Sequence, residues 1–228
     1  MDERICIFID GANFYHLVLK KMGLRELDFD FEAFTSLLAN GRSIVERGKR
    51  FYIGTVRERA GDPRSVEAMS RQTSLFTLLT NAKWEVKTSK LRQRRERLII
   101  DNRVEESEKI RGLGINEIRF VRDREKGIDV KLVTDLFVGA IDNKYDTAVV
   151  VSSDTDLVPA IDSVRNRLNR KVEYIGFSIK NPDDPDDNTR PIVSMIQRTD
   201  IQRTFVASDL KPFIKPTLLT LSESRDSK

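Results

Sequence analysis

The stretch "VVVSSDTDLVPAI" (residues 149–161) decides how this chain folds. Val149, Val150 and Val151 form a short β-branched run of the kind buried in a parallel sheet. Leu157, Ala160 and Ile161 then recur at helical spacing. Between the two patterns stand Asp154 and Asp156. A helix N-terminus accepts carboxylates because its free N–H groups and macrodipole favour negative charge. Capping alone is therefore one reading of both acids. A second is that further acids converge on the same place.

Working outward, strand-like and helix-like segments alternate along the chain. "RICIFID" (4–10) reads as a strand, and "NFYHLVLKKMG" (13–23) as a helix closed by Gly23. "DFEAFTSLLANG" (30–41) is a capped helix, "KRFYIGTV" (49–56) a strand, 65–82 a helix and "WEVKTSKL" (84–91) a strand. "KGIDVKLVTDLFVGAIDN" (126–143) carries Ile128, Leu132, Leu136 and Ala140 on one helical face. Residues 154–169 form the next helix and "KVEYIGF" (171–177) the next strand. This alternation predicts an α/β fold with a parallel sheet covered by helices on both faces. Residues 92–125 are the least legible; "LIID" and "EIRFV" suggest a hairpin. "NPDDPDDNTR" (181–190) reads as an exposed acidic loop. We expect one domain over 1–180. The segment 181–228 packs on it as an extension that frays after Pro216.

The totals narrow the chemistry. The chain has 228 residues, 39% hydrophobic and 33% charged, with a formal net charge of +4. That mildly basic balance suits an anionic partner. One cysteine, Cys6, and one histidine, His16, exclude a zinc site built from several such ligands and leave little for nucleophilic triads. A bound metal would need oxygen ligands. No apolar run approaches a membrane span and no signal peptide is evident, so the expected location is cytoplasmic.

In an open parallel sheet, ligands bind beyond the carboxyl ends of the strands, where strand order reverses. Asp10 closes the first strand and Asp154 closes the strand at 148–153. Asp129 lies in the first turn of the 127–143 helix, and Asp156 in the first turn of the next. Four carboxylates sharing one pocket repel unless a cation joins them. Magnesium or manganese suits such oxygen ligands, and a carboxylate-held metal can activate water for phosphodiester cleavage. Plainer roles stay open: a turn for Asp10, the dipole for Asp129, a cap for Asn13, packing and capping for Ser152 and Ser153. Asp135, Asp142, Asp146 and His16 read as structural or solvent residues.

"FIDGANF" (8–14), "KGIDVKLVTDL" (126–136) and "VVVSSDTDLVPAI" (149–161) resemble, in order and context, the signature blocks of NYN domains. These belong to the PIN-like nuclease superfamily, and the chain looks closest to the LabA-like branch. The resemblance spans roughly residues 4–178, and "FVASDLKPFI" (205–214) is similar to the family's closing segment. It implies a Rossmann-like sheet and a hydrolase that cleaves RNA through a water activated by Mg2+ or Mn2+. Asp10, Asp129, Asp154 and Asp156 match the family's acidic pocket, and Asn13 the asparagine after its first aspartate. Ser153 departs from the family, where Gly is frequent, and is expected to narrow the pocket or stiffen the backbone.

For the substrate, "KTSKLRQRRERL" (87–98) offers Lys87, Lys90, Arg92, Arg94, Arg95 and Arg97 along an extended segment, with Lys126 nearby. Such an edge could track RNA phosphates, or be a solvated strand face. Tyr15 and Trp84 are candidates for base stacking, although both also fit a core. Competing functions are an inactive RNA- or protein-binding module of the same fold, a metal-dependent phosphatase and a DNA flap nuclease. A homo-oligomer is compatible with the sequence.

Overall fold

The computed structural model describes residues 2–56, 58, 61–90, 92–124 and 127–216. In chain order the elements are β1 (Arg4–Asp10) and α1 (Gly11–Phe14), which continues through a π-turn (Tyr15–Leu19) and a 3-10 turn (Lys20–Met22). Next come α2 (Phe31–Ala39), β2 (Ser43–Thr55), α3 (Pro63–Asn81), β3 (Glu85–Lys90), β4 (Arg92–Ile99), α4 (Ser107–Gly112) and β5 (Glu117–Arg124). They are followed by α5 (Ile128–Ile141), β6 (Thr147–Val151), a 3-10 turn (Thr155–Leu157), α6 (Val158–Asn166) and β7 (Lys171–Ser178). The last described elements are α7 (Val193–Arg198), β8 (Ile201–Val206) and α8 (Ala207–Leu210).

Six strands form one sheet in the order β3-β2-β1-β6-β7-β8, and every adjacent pair is parallel. The chain builds outward from β1 to β3, then returns to the other side of β1 with β6. The order therefore reverses between β1 and β6. Along β1 the side chains alternate between two cores. Ile5, Ile7 and Ile9 join Phe14, Phe34, Leu38 and Leu79 on one face. Cys6 and Phe8 join Leu132, Leu136, Ile161 and Val164 on the other. Burial on both faces explains why these strands read as continuous apolar runs. Each fully buried Ile contributes about 1.5–3 kcal/mol. Cys6 is part of this packing, and burial pushes its thiol up to about 12, which leaves it unreactive.

Capping follows the local sequence. Asp30 accepts N–H bonds from Glu32 and Ala33, and Asp62 from Arg64 ahead of Pro63 at the start of α3. Gly23 ends the first helical segment at φ 70°, a left-handed conformation that costs glycine little.

Several expectations change. β2 begins at Ser43 rather than 49. Its register with β1 jumps from Ile5↔Ile44 to Ile7↔Lys49, so the extra residues bulge out around Arg47 at φ 56°. The hairpin expected within 92–125 is present but longer: residues 92–124 form a two-stranded antiparallel ribbon, β4–β5, with α4 in the connection. The acidic loop is exposed but tethered: buried Lys21 donates to the Asp187 carboxylate at 3.0 Å, and Thr189 bridges to Ile179. β8 lies in the main sheet, and Ile214 bridges back to Phe29. The expected frayed tail falls beyond Pro216, outside the described residues.

Asp200 ties β8 to β7 and α6. It accepts Arg165 Nε and Nη2 and the Val172 N–H, all at 2.8 Å. Burial opposes its charge, but these donors outweigh burial and hold the carboxyl below its usual range. A depressed carboxyl stabilises the fold above its unfolded pKa, near 3.9, and that stability is lost as pH falls through the lower folded value. Asp200→Asn should therefore lower the melting temperature at pH 7 and make its decline below pH ~4 shallower. Thermal denaturation across pH 2.5–7 checks this.

Candidate active site

The carboxyl edge between β1 and β6 is where the acids gather. β1 and β6 are immediate neighbours, with Ile9 opposite Val151, so the residues that follow each strand emerge side by side. Asp10, only 7% exposed, accepts the Asn13 N–H at 3.0 Å on Oδ1 and the Ser152 hydroxyl at 3.1 Å on Oδ2. Asn13 Oδ1 accepts the Ser153 N–H at 2.9 Å. Ser152 Oγ in turn accepts the Asp154 N–H at 3.2 Å, and Asp154 caps the following turn by accepting the Asp156 N–H at 2.9 Å. An unbroken chain of hydrogen bonds thus links the ends of the two central strands.

Gly11 permits the turn after Asp10. A Cβ there would stand 2.4 Å from the Phe51 ring and 3.1 Å from the Tyr52 carbonyl oxygen. Only glycine fits so close an approach.

Asp129, in the first turn of α5, comes to the same edge. Its carboxyl is pushed above the usual range by burial first, then by the negative charges of Asp154 and Asp156. Gly127 makes the entry to α5 at φ 84°. Asp156 is exposed, and Asp154 and Asn13 are half-buried. This oxygen-only, mutually repelling donor set fits a hard divalent cation by its chemistry. Among the described residues, no three carboxylates are drawn together as a preformed metal cage.

The remaining sequence candidates separate. Ser153 Oγ lies 3.4 Å from Tyr174 Oη. Asp135 accepts the Tyr52 hydroxyl at 2.8 Å and stands near Arg50, a structural role. Asp146 accepts Arg4 from both its backbone and its guanidinium, and His16 is exposed beside Tyr15. Trp84 is buried between Phe31 and Phe51, which removes it as a stacking surface.

The basic run is not one edge. Lys87 belongs to β3 of the main sheet and is paired with Glu85 and Asp135 at 3.5 and 3.7 Å. Arg94 and Arg95 are exposed on β4, and Arg97 is paired with Glu117. Lys90 ends β3 and Arg92 begins β4; their side chains, and Lys126 as a whole, lie outside the described residues. Ser152 and Ser153 are auxiliary site candidates in the sequence; the specific link that Ser152 makes between Asp10 and the Asp154 N–H is not legible there.

Asn13→Ala would leave the Ser153 N–H without its partner. We expect a loss of about 1–3 kcal/mol and faster amide exchange at Ser153, read by thermal unfolding and hydrogen exchange.

An open parallel sheet with acids at its point of strand reversal defines a Rossmann-like, PIN-like α/β class. A model of the NYN domain family matches residues 4–192, and the chain belongs to that family, within the PIN-like nuclease superfamily. Members of the family are usually nucleases and commonly use divalent metals. Among solved structures, a protein of unknown function from Vibrio parahaemolyticus is similar in fold. Its TM-score is 0.52 at 19% identity, covering 90% of this chain and 93% of that one. No curated protein matches the chain. Among the described residues, no helix is long and apolar enough to cross a membrane.

Proposed function

We propose that the chain is a divalent-metal-dependent ribonuclease of the LabA-like branch, acting in the cytoplasm. The observation that carries this reading is the approach of Asp129 to Asp154 and Asp156 at the strand-reversal edge that Asp10 closes, with the Asp129 carboxyl raised by burial first and then by those two acids. Asp10, Asp129, Asp154 and Asp156 would hold Mg2+ or Mn2+. When bound, the cation supplies Lewis-acid stabilisation of phosphoryl charge and lowers the pKa of water.

The chain's own residues set the geometry. Asn13 fixes the Ser153 backbone, Ser152 spaces Asp10 from the Asp154 turn, and Gly11 keeps the edge open. The basic side chains of β3 and β4, with Lys126, would carry RNA phosphates. An RNA-binding module without cleavage is the second reading, favoured by the lack of a preformed three-carboxylate cage among the described residues.

The test is cleavage of a labelled single-stranded RNA with Mn2+ or Mg2+, beside a chelator control and an Asp10→Asn, Asp154→Asn double variant. Metal-dependent cutting that vanishes in the variant supports the nuclease. RNA binding without cutting by the wild-type chain replaces it with the binding module.

A further inference from the structure

The β4–β5 ribbon leaves the sheet after Lys90 and rejoins the domain at Arg124, three residues before Gly127 opens α5. Its register sorts the side chains into two faces, since directly opposed residues in an antiparallel pair share a face. One face holds Arg95↔Val121, Arg97↔Arg119 and Ile99↔Glu117. There Glu117 pairs with both Arg97 and Arg119, so the opposed cations share one counter-charge.

The other face is arranged differently. Arg94 stands directly opposite Arg122. Like charges opposed at roughly 5 Å destabilise a ribbon unless a counter-charge intervenes. Among the described residues, no ion pair joins Arg94 or Arg122 to an acid. Toward the tip the same face exposes Phe120, 40% accessible, opposite Glu96 and next to the Leu98↔Ile118 pair. Successive positions on one face repeat at about 6.6 Å along a strand. An arginine pair followed at this interval by an open aromatic ring suits a polyanion carrying unpaired bases. A duplex keeps its base faces stacked and offers none to a side chain. The seven residues from Arg122 to Asp129 reach at most about 25 Å, so a strand lying on the ribbon root is within reach of the acidic edge.

We propose that this single face of the ribbon is a binding site for single-stranded nucleic acid. Arg94 and Arg122 grip phosphates and Phe120 stacks on a base. The proposal deepens the ribonuclease reading and rests on it for delivery of the strand to the acids.

The test is fluorescence anisotropy of the full chain, in chelator, with a labelled 15-nucleotide uridine-rich RNA and with an RNA duplex of equal length. Arg94→Ser/Arg122→Ser should reduce the slope of log affinity against log salt by about 1.4. Phe120→Leu keeps apolar bulk but removes the ring, and should weaken single-strand binding about 5- to 100-fold while sparing the duplex. Arg119→Ser, on the face that carries Glu117, should stay within about twofold of wild type, because Arg97 and Glu117 remain paired there. Circular dichroism confirms that each variant folds. Three results overturn the proposal: no single-strand binding by the wild type, an unchanged salt slope, or unchanged affinity in Phe120→Leu. A change from dimer to monomer in sedimentation, with RNA affinity intact, assigns the face to self-association instead. The titration scores binding without metal, so its failure leaves the cleavage reading standing and a failure of cleavage leaves the ribbon site standing.

Discussion

On the ribonuclease reading, Asp10→Asn should lower RNA cleavage about a hundredfold or more and leave the fold intact. The two effects separate because Asp10 does two jobs. As a cap, it needs acceptors for the Asn13 N–H and the Ser152 hydroxyl. Asparagine keeps one acceptor for Asn13. Its amide N–H2 can donate to Ser152 Oγ, a hydroxyl oxygen with two lone pairs that already accepts from the Asp154 N–H. Stability should therefore change by no more than about 1 kcal/mol. As a charge, asparagine supplies nothing, and metal-held stabilisation of phosphoryl charge is worth several kcal/mol. Initial rates at saturating Mn2+, read beside thermal melts, check both halves. A variant that cuts at the wild-type rate removes Asp10 from the chemistry. Manganese should also raise the wild-type melting temperature more than that of the variant.

Phe14→Ala should be the most destabilising single change near the site. Phe14 follows Asn13 directly and its ring centroid lies within 5.3–6.0 Å of Phe29, Phe31, Phe34 and Phe177. It is 2% exposed, so truncation leaves a cavity walled by rings fixed on α2, β7 and the connection before α2. Phenylalanine-to-alanine changes in cores cost about 3–5 kcal/mol. For a chain of this size that is a fall of roughly 6–20 °C in melting temperature. Calorimetry of the pure variant measures it. A fall under about 3 °C would show that the aromatic cluster repacks around the gap. Phe14→Leu, which retains most of the bulk, should recover over half of the loss.

The central strands and their acids were legible because burial on both faces leaves continuous apolar runs, and an acid ending such a run stands out. Asp10, Asp129 and Asp154 all fall at an element boundary that periodicity locates. The ribbon was obscure for the opposite reason. β4 reads Arg-Gln-Arg-Arg-Glu-Arg, with no apolar face, and only its register with β5 divides those charges into two surfaces. The early start of β2 was hidden by a bulge, which breaks period two. The Lys21–Asp187 bond joins positions 166 residues apart, and no local pattern encodes such a partner.

The central place of β1 governs when the site comes into being. Asp10 emerges from the ribosome well before its hydrogen-bond partner Ser152, which is 142 residues later in the chain. At ordinary synthesis rates of 5–20 residues per second, roughly 7 to 30 s separate the two. Throughout that interval β1 has no β6 beside it. The acids that follow β1 and β6 become neighbours only after Ser152 has also been made. Until then a growing chain holds Asp10 without the assembled edge beside it.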